Sequence, residues 1–142
     1  MTEIRFTVLG RPQQKGSKRP QLIPGTTRFT VRDANPKARP WASQISAAAR
    51  DVHQGELIRD AVEIELRFFF ARPKAHMGTG KNAGTVLASA PRHMIVAPDS
   101  DKICRTVLDA LTGVVYKDDS QITRLVAVKS YGEPERCEVE IR

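Results

Sequence analysis

The chain has 142 residues, 40% hydrophobic and 27% charged, with a net charge of +7 and a sequence pI near 9.8. One domain of this size buries a core without disulfide or metal staples. No apolar run approaches the ~20 residues of a membrane span, and MTEIRFTVLG lacks the basic start and apolar middle of a signal peptide. Two cysteines make no disulfide framework, and Cys104, Cys137, His53, His76 and His93 stand singly, outside zinc-site spacing. The expectation is a cytoplasmic single domain over residues 1–142, without membrane association. The charge is uneven: residues 1–50 carry ten Lys/Arg against two acids, whereas residues 51–142 carry 13 against 14. An excess confined to one third of a chain predicts a polyanionic partner, most simply nucleic acid; a solubilising basic surface is the plainer alternative.

In chain order, Ile4, Phe6 and Val8 alternate with Glu3, Arg5 and Thr7, which predicts a half-buried strand over 3–9. GRPQQKGSKRP follows as a basic loop, about 10–20, that exposes Lys15, Lys18 and Arg19. RFTVRD (28–33) suggests a short second strand. Asn35 is placed to cap a helix to about residue 53, with Trp41, Ile45, Ala48, Ala49 and Val52 on its apolar face. AVEIELRFFFA (61–71) has the clearest strand alternation in the chain. Residues 72–92 hold four Lys/Arg, no acid, three Gly and two Pro, and read as a mobile basic flap carrying Lys74 and Lys81. GTGK inside it fails as a phosphate loop, because Ala75 and Asn82 stand where Gly and Ser or Thr are required, and nothing else calls for an organic cofactor.

APDSDKICRTVLDALTG (97–113) predicts turn, helix and Gly stop. VVYKDDSQ reads as a short strand entering a polar turn. QITRLVAVKSY (121–131) and RCEVEIR (136–142) read as a hairpin around GEPE, with Cys137, Val139 and Ile141 inward. The sum is an α+β fold: a mixed β-sheet with two main helices packed on one face.

Five of the eight Asp residues fall between 99 and 119. Asp99 and Asp101 open the second helix, and Asp118 and Asp119 follow it. A strand running back along that helix would bring three or four carboxylates face to face. Such carboxylates repel unless a cation intervenes, and a hard divalent ion takes one or two of them beside waters and phosphates. In a basic protein that chemistry points to a metal-dependent nuclease. Simpler roles remain open: Asp99 or Asp101 capping the helix, an Asp101–Arg105 surface pair, a plain polar turn at Asp118–Asp119–Ser120, and Asp109 tethering Arg105.

PDSDKICRTVLDALTGVVYKDDSQI (98–122) resembles the core motif of the RusA family of Holliday-junction resolvases, common in phages and prophages. That motif runs roughly PD-x-D-N-L-x-K, then DAL, a short strand and DD-x-Q. Gly10–Arg19 is also similar to the family's G-x-P-x-x-K-G-S-x-R start. The resemblance implies metal-binding catalytic roles for Asp99, Asp101 and Asp119, with Asp118 beside them, and Mg²⁺ or Mn²⁺ as cofactor. The family's site lysine falls on Arg105 and its Asn on Lys102. Arg keeps the charge and clamps phosphate but cannot donate a proton near neutral pH, which leaves Lys102 as the substitute. The resemblance further implies a homodimer that cuts two strands of a four-way junction symmetrically. Lys15, Lys18, Arg19, Lys74 and Lys81 would then contact phosphates, and His93 is a further candidate contact. Two other readings are a less selective nuclease on branched DNA and a non-catalytic DNA-binding or packaging accessory dimer. Trp41 and Phe69 are candidates for a dimer interface or for the core.

Overall fold

Alternating polarity makes the strands, and the register between them builds one apolar face. The computed structural model describes residues 3–142, the side chains at 18, 19, 32 and 33 excepted, so the DNA contacts expected of Lys18 and Arg19 lie outside the described side chains. Its strands are β1 (Ile4–Leu9), β2 (Lys18–Leu22), β3 (Phe29–Asp33), β4 (Val62–Phe70), β5 (Ile122–Tyr131) and β6 (Arg136–Ile141). Its helices are α1 (Ala38–Val52) and α2 (Ser100–Leu111). The main sheet runs β1-β6-β4-β5, while β2 and β3 pair separately as a ribbon. β4 is antiparallel to β6 and parallel to β5. This is the expected α+β architecture, with a mixed sheet and two helices. The basic loop ends sooner than predicted, because Lys18 already opens β2.

The register stacks apolar rows across three strands: Ile4–Ile141–Ile64, Phe6–Val139–Leu66 and Val8–Cys137–Phe68. α1 buries Trp41, Ile45 and Ala49, and α2 buries Ile103, Val107 and Leu111, in one core with those rows. Trp41 is therefore a core residue, and the half-buried Phe69 carries the Arg136 guanidinium 3.8 Å above its ring. Each fully buried Ile, Leu or Phe stabilises the fold by roughly 1.5–3 kcal/mol. The opposite sheet face is polar and carries Arg–Glu pairs: Arg5 with Glu3 and Glu140, Arg67 with Glu65, Arg136 with Glu138, and Arg142 with Glu140.

Two local expectations are corrected. The 121–131 and 136–142 strands do not form a hairpin, because β4 lies between them. Five β4 side chains, Val62, Ile64, Leu66, Phe68 and Phe70, are at most 1% exposed, so the most apolar strand takes the central position. Residues 132–135 instead step over the end of β4. Gly132 N–H donates to Phe70 O at 2.9 Å, and a Cβ on Gly132 would meet the Phe69 ring at 2.8 Å. VVYKDDSQ is likewise not a strand. Gly113 turns at φ +79°, its N–H donates to Tyr116 O at 2.8 Å, and Val115 and Tyr116 both plug into the core instead of alternating.

Leu66→Ala should lower unfolding stability by about 2–5 kcal/mol in urea titration, through lost burial plus the residual cavity. Glu65→Ala, one residue along on the paired polar face, should cost less than about 1 kcal/mol.

Candidate active site

The helix start at Asp99 is built unusually. An Asp at this position ordinarily spends its carboxylate on the N–H groups of the first turn. Here the Asp99 side chain makes no cap hydrogen bond. Its backbone N–H donates to the Gln14 Oε1 at 3.0 Å, and its carboxylate stands half-exposed, 3.6 Å from the Lys102 Nζ. Asp101, within the first turn, is exposed and pairs with nothing among the described residues; the Asp101–Arg105 surface pair does not form. Arg105 projects to solvent from the next turn.

The second acidic pair sits elsewhere. Asp118 opens a short turn, Asp119–Gln121, that Gln121 locks. Its Oε1 accepts from Asp118 N–H at 2.8 Å, while its Nε2 donates to Ile58 O and Asp60 O, both at 2.8 Å. Asp118 and Asp119, adjacent in the turn, act on each other's ionisation in opposite senses. Interaction with the Asp119 carboxyl and the Ser120 N–H holds Asp118 below the usual carboxylate range, while interaction with the Asp118 carboxyl, desolvation, the Asp118 charge and Asp109 lift Asp119 above it. Asp109 pairs with Lys15 rather than with Arg105. Tyr116, whose hydroxyl donates to Leu108 O at 3.1 Å, is pushed up to about 12 by burial, with Asp119 and Asp109 adding to the shift.

These contacts place Asp118 and Asp119 by the last turn of α2, whereas Asp99 and Asp101 occupy its first. Asp101 and Asp109 are eight helical residues apart, ~12 Å. Along β5 the interval is longer still: the strand starts beside the Asp119 turn, and seven residues later Lys129 reaches the Val96 and Pro98 carbonyls before Asp99, ~23 Å on. The predicted convergence of all four carboxylates within one chain is thus not found, because residues 112–118 turn into the core rather than return along the helix. No group of three or more His, Cys, Asp or Glu positioned for a metal exists among the described residues. Each pair does fit the one or two carboxylates that Mg²⁺ takes, and Asp99 of the first makes no cap bond to the helix start.

Among the basic candidates, Lys74 and Lys81 are exposed and Lys15 is half-buried against Asp109; His93 is exposed. The expected flap is tethered. Arg72 lies 4.4 Å over the Tyr131 ring and donates to Pro91 O at 2.7 Å, His76 meets Tyr131 edge-on, and Met77 bridges Val86. Sequence reasoning missed Gln14 and Lys129. Lys129 left a signal: it interrupts an apolar period at a strand position facing the core.

Paired carboxylates at a helix start, flanked by Lys and Arg on a basic α+β domain, suit phosphoryl chemistry. A family model described as endodeoxyribonuclease RusA matches residues 11–142. The chain belongs to that family; it is an endonuclease, in a family that acts on Holliday junctions. It is also 31% identical over 140 residues to a Bacillus subtilis (strain 168) protein named "Uncharacterized protein YqaN", covering 98% of this chain and 95% of that one.

The opposite shifts of Asp118 and Asp119 make a titration prediction. A raised pKa in the folded state means that Asp119 favours folding while protonated, a contribution lost as pH rises through its folded pKa. Asp118 acts oppositely: its contribution is present above its unfolded pKa and lost as pH falls through its folded one. Asp118→Asn should move the Asp119 carboxyl titration to lower pH in a carbon-detected NMR series. An unmoved midpoint would rule out Asp118 as the cause of the Asp119 shift.

Proposed function

We propose that the chain is a divalent-metal-dependent endonuclease, using Mg²⁺ or Mn²⁺, that resolves four-way DNA junctions by paired symmetric nicks as a homodimer. The observation that carries this reading is the uncapped Asp99 carboxylate beside Asp101, presented to solvent next to Lys102 and Arg105. In this reading Asp99, Asp101 and Asp119, with Asp118 behind, hold the ion. When bound, it supplies water activation and charge stabilisation at the phosphate. Arg105 clamps phosphate oxygens, since a guanidinium presents paired donors without giving up its proton. Lys102, fixed near Asp99, is the group available to protonate the leaving oxygen. Lys15, Lys18, Arg19, Lys74 and Lys81 follow the junction arms through phosphates, adding affinity without a sequence code.

The homodimer has a structural rationale. The outer edge of β5 has no partner strand among the described residues, is ten residues long, contains no proline, and exposes Leu125 and Val128. Such an edge invites another strand. Two copies joined antiparallel along β5 would bring the Asp118–Asp119 turn of each beside the Asp99–Asp101 end of the other. Each site would then draw carboxylates from both copies, and the two sites would be related by the twofold symmetry of the junction.

A labelled mobile four-way junction should receive paired symmetric nicks in Mg²⁺ or Mn²⁺. EDTA and Asp101→Asn should abolish cutting, and a linear duplex should stay intact. Equal cutting of three-way or linear DNA would favour a less selective nuclease, and binding without cutting in any metal an accessory DNA-binding role. For the shared site, Asp101→Asn and Asp119→Asn should each be inactive alone. Their mixed dimers should regain one working site and nick a single strand, whereas no recovery would confine every carboxylate of a site to one chain.

A further inference from the structure

The peptide unit that leads into Asp99 is held at both of its polar atoms by side chains from distant parts of the chain. Its N–H donates to the Gln14 Oε1 at 3.0 Å. Its carbonyl, Pro98 O, accepts from the Lys129 Nζ at 2.9 Å, and the same ammonium reaches Val96 O at 2.6 Å. The two clamping residues lie 85 and 31 positions from their partners in sequence, so neither contact is a by-product of local helix capping.

Both clamps are themselves braced. The Asn35 Nδ2 donates to Gln14 O at 2.8 Å, and Lys15 N–H donates to Lys102 O at 3.1 Å, which lays the 13–15 segment across the first turn of α2. Lys129 stands on β5 in register with Phe68, whose own row continues through Cys137 to Val8. Those three neighbours are 6% exposed or less. An ammonium on an apolar row costs desolvation unless its donors are met, and here two carbonyls meet it.

We propose that Gln14 and Lys129 are positioning residues that lock the Pro98–Asp99 peptide and so present the Asp99 carboxylate outward to a divalent cation. This inference rests on the metal-nuclease reading. Gln14 takes the N–H of Asp99, the residue just before the helix, and Lys129 holds the carbonyl of the same peptide. Asp99 is thereby set with φ −75° and ψ 136° while its side chain stays off the first-turn N–H groups. Without the clamp the peptide is free to rotate, and the carboxylate falls back onto the helix start, where an Asp side chain ordinarily binds. The consequence is weaker cation binding, not weaker DNA binding, because the side chains of Gln14 and Lys129 are spent on the 96–99 backbone rather than on phosphates.

The test uses Gln14→Leu, Lys129→Met and Lys129→Arg in the full chain. Mn²⁺ binding is read from the loss of the free-ion EPR signal, junction binding from gel shift in EDTA, and single-turnover junction cutting as a function of Mg²⁺. Gln14→Leu and Lys129→Met should each raise the half-saturating cation concentration about ten-fold or more, the usual loss when a group orienting a ligand is removed. Junction affinity in EDTA should stay at the wild-type level, and excess metal should restore cutting. Lys129→Arg keeps donors for both carbonyls and should bind Mn²⁺ like wild type. If Lys129→Met loses its cooperative melt, Gln14→Leu decides alone, since its side chain contributes nothing to the apolar core. Wild-type Mn²⁺ binding and Mg²⁺ dependence in Gln14→Leu would overturn the proposal. So would a loss of junction affinity in EDTA matching the loss of cutting. A wild-type chain that neither binds Mn²⁺ nor cuts overturns the metal-nuclease reading and this inference together.

Discussion

Parallel neighbours in a sheet cannot be joined by a tight turn; the chain must cross from one end of the sheet to the other between them. The parallel pairing of β4 with β5 imposes that crossing here, and α2 provides it on the helical face. The rest of the site follows. The residues entering the crossover helix lie at one end of β5 and the residues leaving it at the other. Acids encoded within 20 positions of one another are therefore held a helix length apart. The sheet accepts this arrangement because β4, buried along one whole face, is worth more in the centre than beside either end of a hairpin.

Much of the fold was readable because period-two alternation survives wherever one face of a strand is buried. Val62 to Phe70 and Arg136 to Ile141 show it, and both strands fall within a residue or two of their expected bounds. α1 and α2 were readable from their apolar stripes for the same reason. Strand order was not readable. Alternation tells which side of a strand is buried and says nothing of its neighbour, so β5 and β6, adjacent in sequence, were taken as adjacent in space. The 112–118 segment misled differently: Val114, Val115 and Tyr116 look like strand residues, but their burial is achieved in a turn whose positive φ belongs to Gly113.

At the candidate site, residue types and spacing identified the carboxylates and the basic residues around them. What they do locally depends on contacts no spacing rule reports. Asp99 looks like a helix cap in sequence, yet its side chain makes no cap bond, and its own N–H is taken by Gln14 from the far end of the chain. Asp109 looked like a partner for Arg105, one turn away, but is taken by Lys15, 94 residues away. Gln121 stood out only as the last letter of a motif; in the structure it ties the acidic turn to the backbone before β4. Motif positions that look accessory can thus be the ones that fix geometry.

The polar face of the sheet has a consequence for how the molecule meets its surroundings. Its Arg5, Arg67, Arg136 and Arg142 are matched there by Glu3, Glu65, Glu138 and Glu140. That side is electrically quiet, and the excess of +7 belongs to the rest of the surface. A body charged on one side has an orientation in the field of a polyanion before any contact is made. The quiet face turns away, and the side carrying the helices, the ribbon and the flap arrives first. The Arg–Glu lattice, which adds little to stability pair by pair, gives the protein a back.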